Sequence, residues 1–410
     1  MKKQLKIYCS LIYLALIISC QKDDAPIISE NNDTDNPQII EITYPIVDTG
    51  VITFYNNTSI ISEPTVEQNY YGQDATYTSN QPSYIDNNDG TITDRITGLI
   101  WEQSMGNKIT FDEASIKASN STLGNYTDWR VPTIKELYSL ILFTGSVQGE
   151  NSKELFIDIN YFDQPLGDIS IGEREIDAQT WSSTENVSVT MNSDETVFGV
   201  NFIDGRIKGY PKYNPRNGIE NKMYFRMVRG NSEYGKNDFV DKEDGTISDL
   251  ATGLMWQQTD DGTSKNWEEA LNYAENLELA NYNDWRLPNA KELQSIVDYL
   301  RSPKTTNSPA INSIFQTTEI TDPNGNNGHY PFFWTGTTHL DGVNPYASAV
   351  YIAFGEGQGK MNNILMDVHG AGCQRSDPKN GNKSDYPQFF GPQGDVRYVY
   401  NYVRCVRTIN

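Results

Sequence analysis

The stretch DVHGAGCQRSDPK, Asp367 to Lys379, holds the densest group of polar and titratable side chains in the chain and one of its three histidines. These residue types suit recognition of an anionic or hydroxyl-rich ligand. Arg375 can grip a carboxylate or sulfate through two parallel N–H bonds, while Asp367, His369, Gln374, Asp377 and Lys379 supply further donors and acceptors. Gly370 and Gly372 let backbone approach closely. The same side chains would equally well bond one another, because a polar loop must satisfy its own backbone groups. Trp334, with Tyr346 and Tyr351, offers ring faces on which sugars could stack, although aromatic residues on strands are more often core.

Catalytic chemistry finds little support. No Ser/His/Asp order, metal-ligand cluster or phosphate loop is present, so the chain is expected to be non-enzymatic, without cofactor or metal. Cys373 and Cys405 match the number of thiols a formylglycine-generating chemistry would use, but Cys405 lies in a terminal strand where a structural role fits better. DNNDG from Asp86 and DKEDG from Asp241 hint at calcium loops, yet glycine falls at the fifth position where an EF-hand needs it at the sixth. Asp-Gly between alternating apolar residues is instead a hairpin signal.

Acidic residues outnumber basic ones 54 to 32, a formal charge of -22, which disfavours a nucleic acid or an anionic membrane surface as principal partner. A sulfated ligand would need a local basic patch, and Arg375, Lys379, Lys383 and Arg397 form the one sequence cluster that could supply it.

The elements that would position these residues are written twice. DNNDGTITDRITGLIWEQ from Asp86 returns as DKEDGTISDLATGLMWQQ from Asp241, and NYTDWRVPTIKELYSLI from Asn125 returns as NYNDWRLPNAKELQSIV from Asn281. In each copy a capping box predicts a first helix, at Thr110 with Glu113 and at Asn266 with Glu269. A second helix is predicted at Thr133 with Glu136 and at Asn289 with Glu292. Apolar positions such as Leu137, Leu140 and Ile141 form the buried stripe. Strands follow at Thr180 to Thr184 and Phe333 to Thr337, and each copy closes on FRMVR or VRCVR. Asp-Trp-Arg reads as a core Trp beside an Arg that satisfies local carbonyls or a carboxylate. The expected fold class is α+β, two helices per copy packed on short antiparallel strands. Domains are expected at 44–230 and 231–410, the second with a long insertion between Gly357 and Arg404.

Residues 1–20 read as a lipoprotein signal peptide: Met1-Lys2-Lys3, an apolar run from Ile7 to Ile18, then Cys20 as the lipidated residue, with an ordinary cleaved signal as the alternative. The lipid would be the chain's sole link to a membrane. QKDD after it resembles a tag for export to the outer face of the outer membrane, or simply begins the polar tether of residues 21–43. With Cys9 in the signal and Cys20 lipidated, Cys373 and Cys405 remain as a pair, and a secreted compartment makes a disulfide the expectation.

The repeated DGTITD, NY.DWR.P and VRCVR phrases, with FWTGT, resemble the Lcl C-terminal domain family, named from a collagen-like surface adhesin. The resemblance implies tandem C-type-lectin-like domains and an adhesive role toward sulfated or acidic polysaccharide. The reading is therefore a lipoprotein exposed on the cell surface, binding a polysaccharide or glycan. A scaffold subunit of a cell-envelope protein complex is the alternative.

Overall fold

The Asp-Gly phrases build the first hairpins. Gly90 and Gly245 take positive φ, each preceded at one residue's remove by Asn88 or Glu243 in the same region. The turns join Tyr84–Asp86 to Thr91–Asp94 and Phe239–Asp241 to Thr246–Asp249. Each hairpin gains a third strand, Leu99–Glu102 or Leu254–Gln257, and the closing strand Val228–Gly230 or Val406–Thr408 completes a four-stranded sheet. The chain is described here from a computed structural model over residues 42–147, 153–191 and 193–409. The signal peptide, Cys20 and nearly all of the tether lie outside those residues.

All four capping boxes form, starting α1 (Phe111–Ser119), α2 (Ile134–Ser139), α3 (Trp267–Glu275) and α4 (Ala290–Ser295); a short α5 (Pro303–Thr306) follows. The α+β expectation nevertheless fails. The helices are four to nine residues long, and antiparallel sheets outweigh them in the described protein. Two helices per copy are too short to form a layer on which strands depend, and the C-type-lectin-like architecture is withdrawn with them. The stripe Leu137, Leu140, Ile141 reports a buried face without reporting where the helix ends: Leu140 and Ile141 already bond three residues back, at 3.3 and 3.1 Å.

The largest sheet crosses between the copies. Its strands are β1 (Thr180–Thr190), β2 (Asp194–Asn201), β3 (Arg206–Pro211), β4 (Phe332–His339), β5 (Ser348–Ala353) and, from the region after Gly357, a further strand, Gln374–Pro378. The order is β4, β5, Gln374–Pro378, β3, β2, β1, antiparallel throughout, and Ile207 opposite Gln374 joins the copies. One face, carrying Phe198, Val200, Ile207, Val350 and Ile352, packs on α2 and α4 in a core that both copies share. The opposite face carries a separate cluster in each copy, around Trp181 and Trp129 in the first and Trp334, Trp267 and Trp285 in the second.

The copies are locked by a reciprocal exchange between the duplicated helices. Lys135 Nζ donates to the Ser295 carbonyl at 2.6 Å, and its counterpart Lys291 Nζ donates to the Ser139 carbonyl at 2.9 Å. Each lysine also holds the segment preceding the opposite copy, Lys135 through Gly235 O and Asn237 Oδ1, Lys291 through Asp48 O. Burial pushes the Lys135 amine down to about 8 and that of Lys291 to about 7.

The segments leading into the copies are exchanged accordingly. Residues 44–80 lie mostly on the second copy: Tyr44 N donates to Ala251 O, the Tyr77 hydroxyl bonds Glu275, and Asp74 Oδ2 accepts from Thr337 Oγ1 at 2.6 Å and Thr49 Oγ1 at 2.8 Å. Burial pushes the Asp74 carboxyl up to about 7, opposed by those two hydroxyls. A folded value above the unfolded 3.8 means that its stabilisation is complete below 3.8 and is lost as pH rises through about 7. Tm of the wild type should therefore fall relative to Asp74→Asn between about pH 5 and pH 8. Parallel Tm curves would contradict this placement.

Candidate functional site

The region after Gly357 folds as a small sheet of its own, β6 (Gln358–Met361), β7 (Ile364–Asp367), β9 (Phe389–Phe390) and β10 (Asp395–Val396), while β8 is the Gln374–Pro378 strand described above. The order is β7, β6, β10, β9. The segment from the end of β7 through β8 to Lys379 holds most of the sequence-predicted residues, and the structure places most of these inside. Asp367, His369, Gln374, Asp377 and Lys379 are all at most 5% exposed.

Their hydrogen bonds explain the burial. Asp367 Oδ1 accepts from the backbone of His369 and Gly370 at 3.2 and 2.8 Å, closing the turn at Gly370, whose φ is 87°. Burial and the Glu356 charge push the Asp367 carboxyl up to about 8. Asp377 Oδ2 accepts from Tyr398 N, Val399 N and Asn401 Nδ2 at 3.1 to 3.2 Å, and burial pushes it up to about 6. Lys379 Nζ donates to Thr338 Oγ1 at 2.8 Å and sits 4.3 Å from the Trp267 ring centre, its pKa driven well down by burial. Gln374 pairs across the junction with Ile207. Trp334 is fully buried and its indole N–H donates to Lys265 O at 2.8 Å, while Tyr351 stacks on Phe332 at 4.3 Å, so neither offers a face to a sugar.

Arg375 stands apart from the rest. Its guanidinium pairs with Asp395 of β10, whose other oxygen meets His369 Nε2 at 2.9 Å. Burial alone would raise the Asp395 carboxyl, but the Arg375 charge and the His369 hydrogen bond hold it well below the usual carboxylate range. Burial, with the Arg375 charge, pushes His369 down to about 3 and keeps it neutral. The trio pins the insertion sheet to the central sheet. Beside it the Lys208 amine of β3 makes no hydrogen bond or ion pair among the described residues, and burial with the Arg375 charge pushes it down to about 7.

The expected Cys373–Cys405 bridge is not made. Both are free thiols, fully buried in the apolar cluster of the second copy. Burial pushes both thiols up, which leaves them neutral core residues. Apolar packing replaces the staple inferred from cysteine count.

The exposed chemistry lies at the β9 edge of the insertion sheet. Phe390 is 56% exposed, with the Arg397 guanidinium 4.1 Å from its ring centre and 5.5 Å from that of Tyr386. Lys360 lies 5.0 Å from Phe389, and Lys383 5.9 Å from Tyr400. Lys383 and Arg397 were visible in the sequence as a basic cluster; Phe389 and Phe390, just beyond the loop, were missed. The YPQFF run followed by RYVY was the signal that could have found them. Among the described residues no group of three or more His, Cys, Asp or Glu could hold a metal ion.

The duplicated Asp-Trp-Arg phrases are structural in both copies. Arg130 and Arg286 each grip the carboxylate of the helix-capping glutamate, Glu136 or Glu292, through two bonds of 2.6 to 2.7 Å. Asp128 and Asp284 each pair with the last arginine of the closing strand, Arg229 or Arg407. The Lcl C-terminal domain family model matches residues 90–229 and 245–369, two segments that fit two tandem copies. The chain belongs to that family. No curated protein and no solved structure matches it.

Proposed function

We propose that this Lcl C-terminal domain protein is a surface-tethered lipoprotein that binds anionic extracellular polysaccharide without catalysis, through the exposed β9 edge of its insertion sheet. The observation that carries the reading is the exposed Phe390 ring under the Arg397 guanidinium. An apolar ring stacks on the C–H face of a sugar, and a guanidinium fork pairs with a sulfate or uronate on the same residue. In a chain of formal charge -22 such a polyanion is repelled nearly everywhere else, so a local basic and aromatic patch supplies both attraction and position. Lys383 and Tyr386 extend the patch along that edge. The tether and anchor rest on the N-terminal sequence, with Cys20 as the lipidated residue and QKDD directing the protein to the cell exterior.

A glycan array tests this reading. The expected result is signal on sulfated or uronate-rich polysaccharides, little on neutral glucans, and no loss with chelator. Binding to neutral sugars alone, or to nothing on the array, would reject it.

A further inference from the structure

The two copies differ in one place where the sequence repeat is nearly perfect. In the second copy, Arg286, Asn289 and Thr337 are covered by the segment 73–80. Asp74 takes the Thr337 hydroxyl at 2.6 Å, and the Tyr77 ring lies 5.3 Å from the Arg286 guanidinium. The first copy has the same framework. Ile134 N donates to Thr184 Oγ1 at 3.0 Å as Ala290 N does to Thr337 Oγ1, and Ser183 N bonds Pro132 O as Gly336 N bonds Pro288 O.

Among the described residues nothing covers it there. The Arg130 side chain is 33% exposed against 10% for Arg286, Thr133 and Ser183 are exposed, and Thr184 is half-buried where Thr337 is fully buried. The reason is chain length: a long segment precedes the first copy and reaches across the second, while the short stretch before Phe239 ends against Lys135. A groove of about 690 Å³ remains, floored by Val131, Ile134 and Val297, edged by Tyr234 and Leu300, and continuous with the interface between the copies.

We propose that this groove docks an extended acidic peptide of a partner protein, with an Asp-x-x-Tyr spacing like that of Asp74 and Tyr77. The peptide carboxylate takes the Thr184 hydroxyl, and its aromatic ring covers Arg130, whose fork is already held by Glu136 and needs no rearrangement. A Cβ at Gly336 would stand 3.1 Å from Asp74 N, and Ser183 has that Cβ, so the peptide runs slightly further from the strand than residues 73–80 do. This site is separate from the polysaccharide patch and does not depend on it.

The test is fluorescence anisotropy of the full chain with a labelled peptide of residues 71–80, YGQDATYTSN. One saturable site is expected, weakened about tenfold by Thr184→Val, by Asp→Asn in the peptide, and by Ser183→Trp, which fills the groove from an exposed position. A photo-crosslinker in the peptide should mark residues 183–184 or 296–300. No saturable binding, binding indifferent to Thr184→Val and Ser183→Trp, or cross-links at 336–337 would overturn the proposal.

Discussion

Arg404→Met should cost about 4 kcal/mol of folding free energy, read as a lower urea midpoint by tryptophan fluorescence. The Arg404 side chain is fully buried and donates to the carbonyls of Gln257, Gln258 and Gln316 at 2.5 to 2.9 Å and to Thr317 Oγ1 at 3.2 Å. These bonds tie the strand Leu254–Gln257 to the loop at Gln316 and to the closing strand. Methionine fills much of the same volume but satisfies none of the acceptors, and each orphaned buried group costs roughly 1–3 kcal/mol. The sum is reduced because burying the guanidinium is itself unfavourable, as the fall of its pKa to about 10 records. Arg226 occupies the same place in the first copy, donating to Glu102, Gln103 and Asp163, and Arg226→Met should behave alike. A loss below about 1 kcal/mol in both variants would mean that these arginines do not hold the sheets to their loops.

Asp395→Ala should be nearly as costly, about 3–5 kcal/mol, because it leaves the largely buried Arg375 guanidinium without its carboxylate and His369 without its partner. The damage should be local. Asp395 joins β10 to β8, so the insertion sheet should loosen and become open to protease between residues 380 and 394 while the remainder stays folded. Acid should act in the same way. The Asp395 carboxyl is held below its unfolded value, so its stabilisation is present above about 3.8 and is lost as pH falls toward the folded value. Protease resistance of that segment unchanged in the variant would contradict the role given to Asp395.

Signals confined to a few neighbouring residues could be read from the sequence. Thr110, Thr133, Asn266 and Asn289 cap helices because an oxygen three residues before a glutamate suffices, whatever lies elsewhere in the chain. The apolar stripe did not mark where the helices end, because Leu140, Ile141, Ile296 and Val297 stay buried after the helical bonding stops. The shared sheet was hidden for a different reason. Its junction depends on Ile207 meeting Gln374 across the whole intervening chain, and no local pattern encodes such a pairing.

The predicted site shows the same division. Asp367, His369, Gln374, Asp377 and Lys379 were found by their polarity, and that polarity is spent on closing a buried loop. Arg375 faces Asp395, twenty residues further on, a partner that spacing could not single out. Lys383 and Arg397 were legible as charge, but their placement beside Tyr400 and Phe390 required the insertion to fold into a sheet rather than hang as a loop.

The central claim is that anionic polysaccharide binds at the β9 edge of that sheet. The most direct measurement is the affinity of immobilised sulfated polysaccharide for the wild type and for Phe390→Ala with Arg397→Gln, two substitutions at accessible positions that leave Asp395 in place. At low salt the double variant should bind at least about thirtyfold more weakly, a loss of roughly 2 kcal/mol, with its circular dichroism and Tm unchanged. Equal affinity of the two folded proteins would place the binding surface elsewhere and contradict the account.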